Sequence, residues 1–123
     1  MKRKVYIAGP MRGKEDWNRA AFKAAREFWE ETGWHVFDPC RLCDAHGYER
    51  NEETVDRAHL LHVIQSDMSC LYAVDAVAVL PGWEHSKGCT VEIAMAQFLH
   101  LPVYDAITGD HLFLSDRDYQ LIT

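Results

Sequence analysis

The sequence predicts a doubly wound α/β fold, a parallel sheet of four or five strands with helices on both faces. Three observations carry this. Short apolar runs alternate with segments of helical period in the order βαβαβαβ. The run at 74–80 is apolar almost throughout, as central strands of parallel sheets are. Two strands open into glycine-containing loops that lead into helices, which brings free backbone N–H groups and a positive helix end to the sheet edge.

Lys4–Ala8 reads as the first strand, stopped by Gly9-Pro10-Met11-Arg12-Gly13, a loop with two glycines and one cation. A helix follows, with Asp16 as N-cap, Gly33 as stop signal and Trp17, Ala21, Ala24, Ala25, Phe28 and Trp29 as its core stripe. Residues 34–37 make a second strand ended by Asp38-Pro39, and 40–53 read as a long surface loop of the kind that often covers a site. From Thr54 a second helix places Leu61, Ile64, Met68 and Leu71 at core spacing, with Asp67 one step off that stripe. After the central strand and its loop, a helix from about Lys87 to His100 is expected to bury Val91, Ala94, Met95, Phe98 and Leu99. Residues 101–104 give a fourth strand, and 112–114 fit a short edge strand. The simplest wiring is the flavodoxin- or Rossmann-like order 2-1-3-4.

At 123 residues the chain is read as one domain over 1–123, with 106–123 a peripheral C-terminal tail. A formal charge of −6 argues against sequence-independent binding to nucleic acid, which needs a basic face, and leaves room for a small anion held by one Arg or Lys. No apolar run approaches membrane-spanning length, and the basic start at Met1-Lys2-Arg3-Lys4 is followed by too short an apolar run for a signal peptide. A cytoplasmic protein with reduced thiols at Cys40, Cys43, Cys70 and Cys89 is therefore expected. Cys40-Arg41-Leu42-Cys43 with His46 nearby matches half of a zinc site. A second CxxC is missing and His59 or His62 would have to complete it, so plain loop cysteines, no metal and no cofactor are expected.

The central question is the carboxylate Glu92, set just inside a helix that begins at an anion-binding loop. With right-handed crossovers, the second and third helices lie side by side on one face. The strand at 74–80 climbs roughly 20 Å while the helix from Asp67 to Ala73 descends only about 9 Å, which brings Asp67 within about one turn of Glu92. The helix end favours ionised Glu92, whereas an apolar face and a neighbouring carboxylate favour protonated Asp67. Two carboxyls pushed apart in this way suit a nucleophile paired with an acid or base, as in cleavage of a glycosidic bond. The plainer alternatives are a helix-capping Glu92 and an exposed helical Asp67.

Val5-Tyr6-Ile7-Ala8-Gly9-Pro10-Met11-Arg12-Gly13, then Asp67 ahead of an apolar strand, then Gly82-Trp83-Glu84-x-Ser86-x-Gly88-x-x-x-Glu92, resembles the nucleoside 2-deoxyribosyltransferase-like superfamily, and more closely a small bacterial and phage branch of it. The resemblance covers the chain to about Asp105. It implies attack by Glu92 on the anomeric carbon of a deoxyribosyl group, Asp67 as the acid for the departing base, and Tyr6 as the residue that positions Glu92. It also implies a homo-oligomer, since relatives often complete the site with a neighbouring subunit.

Six residues before the nucleophile the nucleoside transferases commonly carry Asp, whereas the deoxynucleoside 5′-monophosphate hydrolases carry a phosphate-binding Ser; this chain has Ser86. A nucleotide is therefore favoured over a nucleoside, with Gly9, Met11, Arg12, Gly13, Trp83, Ser86 and Gly88 expected around it. Ser86 also reads as a helix N-cap, and Trp83 as a cover for its loop or a platform for a base. Cys89 stands where the resemblance leads one to expect a small residue, and only its nearness to a helix start speaks for reactivity. Two other classes stay open at this point: a non-catalytic nucleotide-sensing module, and an oligomeric interaction protein that has kept the fold and lost the chemistry.

Overall fold

The computed structural model describes residues 2–11, 13–39 and 57–113. Arg12, the expected loop at 40–53 with Cys40, Cys43 and His46, and the tail from 114 lie outside the described residues. Five strands, β1 (Lys4–Ala8), β2 (His35–Phe37), β3 (Ala76–Val79), β4 (Val103–Asp105) and β5 (His111–Phe113), form one sheet in the order β2-β1-β3-β4-β5. The first four are parallel, in the order the sequence predicts. β5 pairs antiparallel with β4, which makes it the edge strand expected near 112.

Strand alternation divides the core in two. Val5 and Ile7 point to the face covered by α1 (Arg19–Glu31), where they meet Phe22, Ala25, Trp29, Ala76, Ala78 and Leu80. Tyr6 and Ala8 point to the other face, against Leu71 of α2 (Arg57–Ala73) and Cys89, Ile93 and Ala96 of α3 (Lys87–Phe98). The small Ala76 and Ala78 leave room for the Trp29 indole, whose N–H donates to the Ala106 carbonyl at 3.0 Å.

Three expectations need correction. The first helix does not begin at Asp16. Asp16, Trp17 and Asn18 have φ of 47°, 55° and 65°, in the left-handed region, so right-handed turns start only at Arg19. Its buried stripe is Phe22, Ala25 and Trp29; Ala24, about 100° around the helix from Ala25, is exposed, and Phe28 sits at the rim. On α2, Leu71 is buried and Met68 packs on the core, but Leu61 is 51% exposed. On α3 the expected face is rotated. Cys89, Glu92, Ile93 and Ala96 face the sheet, while Ala94 is exposed and Val91 and Phe98 are 48% and 68% exposed. This helix is apolar all round, so periodicity alone does not fix its phase.

Candidate active site

The strand order reverses between β1 and β3, and at such a switch point the loops leaving the two strands part to opposite faces and open a crevice. Tyr6, two residues before the end of β1, is fully buried on the α2–α3 side. Its hydroxyl donates to Oε2 of Glu92, whose side chain lies on the inner face of α3 with 6% of the residue exposed. Asp67, half-buried on α2, lies close enough to Tyr6 and Glu92 for both to act on its carboxyl. The three residues singled out from the sequence thus meet, although they come from three different elements.

Burial controls the protonation of this cluster. Loss of hydration raises Glu92 to about 8, with the nearby Asp67 charge pushing in the same direction and the Tyr6 hydroxyl opposing it. Desolvation also raises Asp67, to about 6, against hydrogen bonds from Tyr6 and Glu92. The Tyr6 hydroxyl is pushed well above its ordinary value, first by burial and then by the two carboxylates. Both carboxyls are thus pushed upward by burial, Glu92 as well as the Asp67 expected to hold a proton. Depth and the facing carboxylate outweigh the helix end, whose influence fades within the first turn. Near neutral pH the two carboxyls share one proton, and their titrations belong to the pair.

The two glycine loops meet above this cluster. Gly9 lies so close to Leu80 that a Cβ there would stand 2.7 Å from Leu80 Cδ1, so the position excludes a side chain. Gly82, at φ 87°, lies beside Pro10, where an added Cβ would be 3.5 Å from Pro10 Cγ. Gly13 is left-handed at φ 78°, and Met11 packs partly on the α1-side core. Ser86 is the N-cap of α3, its Oγ accepting from the Cys89 N–H at 3.3 Å. Trp83 packs partly against the α2–α3 core. Around Gly88 there is open space, with nothing within 4 Å of an added Cβ. Arg12 is the one expected site residue outside the described part of the chain.

Burial pushes the Cys89 thiol up to about 12 and raises Cys70 as well, which keeps both protonated and unreactive. Among the described residues no group of three His, Cys, Asp or Glu side chains is placed to hold a metal. Nor, among them, is any helix long and apolar enough to cross a membrane. Two polar links escaped the sequence reading. Arg26 Nη1 pairs with the buried Asp38 Oδ2 at 3.1 Å, tying α1 to the end of β2. Asn18 Nδ2 donates to the Pro10 carbonyl at 2.9 Å. The available signals were an Asp-Pro closing a strand and an Asn directly ahead of a helix.

Among solved structures, the fold is similar to a 2-deoxyribosyltransferase from the psychrotolerant bacterium Bacillus psychrosaccharolyticus, a biocatalyst for nucleoside synthesis (TM-score 0.60, 18% identity, 82% of this chain and 69% of that one). It is also similar to a conserved protein from Enterococcus faecalis V583, of whose length this chain spans 63% (TM-score 0.57, 20% identity, 85% of this chain). The fold is thus nucleoside 2-deoxyribosyltransferase-like. No curated protein matches the chain. One family does, over residues 3–105, a span that runs from just before the strand bearing Tyr6 to the end of β4 and takes in both glycine loops, Asp67 and Glu92. The chain belongs to that family, described as Domain of unknown function (DUF4406).

Proposed function

We propose that the protein cleaves the N-glycosidic bond of a 2′-deoxynucleoside 5′-monophosphate or a deoxynucleoside through a glycosyl ester on Glu92. The observation that carries this reading is the Tyr6–Glu92–Asp67 cluster at the switch point, in which the buried Tyr6 hydroxyl donates to the buried Glu92 and Asp67 lies beside both. Burying two carboxyls is costly, and a module that only binds a nucleotide gains nothing from it. Likeness of fold to a deoxyribosyltransferase adds support without fixing the reaction.

The shared proton gives the chemistry its direction. When substrate enters, the proton moves to Asp67 and Glu92 becomes the carboxylate, with the Tyr6 O–H holding the oxygen that does not attack. The other Glu92 oxygen bonds to C1′ as the C1′–N bond breaks. The bonding electron pair leaves with the base, and the proton of Asp67 goes to it. Covalent capture divides one hard step into two easier ones. Water or a second base then attacks C1′, gives its proton to Asp67 and frees Glu92, so a monophosphate yields free sugar phosphate or a new nucleotide, and a nucleoside yields free sugar or a new nucleoside.

Ser86, Gly88 and Arg12 are assigned to the 5′-phosphate. Ser86 already caps α3 through the Cys89 N–H, and the open space at Gly88 leaves the helix start accessible to an anion. Gly9, Met11 and Gly13 would line the sugar, and Trp83 the base. The test is incubation with a panel of deoxynucleosides and their 5′-monophosphates, read as free base, followed by trapping with a 2′-fluoro-substituted substrate. Base release with added sugar mass at Glu92 is expected. Ligand binding without base release would instead favour a sensing module.

A further inference from the structure

We infer that Asn18 is a positioning residue for substrate binding: its side chain closes the loop between β1 and α1 into the shape that receives the sugar and phosphate. This rests on the glycosidase reading for its substrate and on geometry for everything else. The Asn18 amide donates to the Pro10 carbonyl across eight positions, so the two residues form the neck of a closed loop. Above the neck, the Lys14 N–H bonds the Met11 carbonyl at 3.3 Å and the Trp17 N–H bonds the Lys14 carbonyl at 3.1 Å. Below it, Pro10 is buried, Gly9 is wedged against Leu80, and Pro10 touches the position of Gly82 in the β3–α3 loop. The neck is therefore fixed to the sheet on one side, and the Asn18 bond ties it to the start of α1 on the other.

Position 18 makes two demands that few side chains meet. Its φ of 65° is left-handed, which among residues with a side chain Asn tolerates best. It must also present a donor to a carbonyl oxygen. Gly meets only the first demand. Asp tolerates the backbone but turns an acceptor towards an acceptor. Ordinary helix capping does not explain the residue, because the Asn18 side chain makes no cap hydrogen bond to α1.

The test compares Asn18→Gly and Asn18→Asp with the wild type in the full chain. Loss of one part-buried hydrogen bond should raise KM for the deoxynucleoside 5′-monophosphate by roughly three- to tenfold in both variants. The kcat value should stay within about twofold, because Tyr6, Asp67 and Glu92 stand on β1, α2 and α3 outside the loop. Amide exchange at Lys14 and Trp17 should quicken at least about threefold while the α1 interior is unchanged. Unchanged exchange in both variants overturns the inference, and so does faster exchange with an unchanged KM or with a kcat that falls as far as KM rises. A wild-type protein inert on every substrate overturns the glycosidase reading instead, and Asn18 then stands or falls on the exchange result alone.

Discussion

The two faces of the sheet are built from the same strands and serve different ends. On the α1 face, Val5 and Ile7 meet Phe22, Ala25 and Trp29, and the aromatic rings of Trp29, Trp34 and Tyr104 pack edge-on or tilted 5.4–6.3 Å apart. Polar groups stay at its margin, as in the Arg26–Asp38 pair. On the α2–α3 face, one residue further along β1, Tyr6 points into a core that also holds Glu92 and borders Asp67. The first face can maximise apolar contact. The second gives up stability to keep Tyr6 and Glu92 out of water with Asp67 half-buried beside them. Substitutions on the two faces should therefore separate stability from activity.

The largest effect is expected from Glu92→Gln. It keeps shape and hydrogen-bonding capacity but removes the carboxylate proposed as nucleophile, so base release should fall by at least about 10³-fold. Its stability should move the other way. Both carboxyls have pKa values raised by folding, from ordinary values of 4.5 and 3.8 to about 8 and about 6. A raised group contributes stability that is complete below its unfolded pKa and lost as pH climbs through the folded one. The wild type should thus be most stable near pH 4 to 5 and lose stability up to about pH 8, while Glu92→Gln should show a flatter curve and exceed the wild type at alkaline pH. Thermal melts across pH decide this; parallel curves for the two proteins would exclude the assigned burial cost.

Trp29→Ala probes the opposite face. The indole is 4% exposed and bonded to the Ala106 carbonyl, so its loss should cost about 3–5 kcal/mol. Denaturant titration measures that cost, and activity per folded molecule should remain close to wild type. A variant that melts normally but has lost activity would show that the faces are not separable.

Legibility in the sequence divides along the same line. Strands were readable because a parallel sheet demands nearly unbroken apolar runs, and β1 spans the residues its composition marks out. The meeting of Asp67 and Glu92 was readable too, since crossover handedness alone places α2 beside α3. The phase of α3 was not, because Val91, Ala94 and Phe98 are as apolar as the residues that face the sheet, and burial of Glu92 defies the usual sorting. The upward push on Glu92 comes from its depth and from the facing Asp67, neither of which periodicity encodes. The Asn18–Pro10 and Arg26–Asp38 links depend on loop paths that local propensity does not determine.

A smaller, more diagnostic effect is expected at Tyr6. The hydroxyl donates to Glu92 and, lying beside both carboxyls, opposes the upward push of burial on each. Tyr6→Phe keeps the buried ring and removes that donor, so both limbs of the bell-shaped pH profile should move to higher pH. Activity near pH 7 should drop by about 10- to 100-fold. A profile reduced in height without any displacement would assign Tyr6 to packing alone.

Ser86→Asp is expected to have the smallest effect on the fold and the sharpest on substrate choice. Asp caps a helix as well as Ser does, and its charge suits the positive end of α3, so the cap on the Cys89 N–H should survive and the melting temperature should hold or rise slightly. The same charge would oppose a phosphate at the helix start. Monophosphate affinity should then weaken by about tenfold or more, while deoxynucleoside affinity stays near the wild-type level. Ser86→Ala, which removes the cap and adds no charge, should cost about 1 kcal/mol of stability with a milder loss of monophosphate affinity. If Ser86→Asp weakens nucleoside and monophosphate alike, Ser86 is a cap and nothing more, and the phosphate must be held, if anywhere, by the β1–α1 loop.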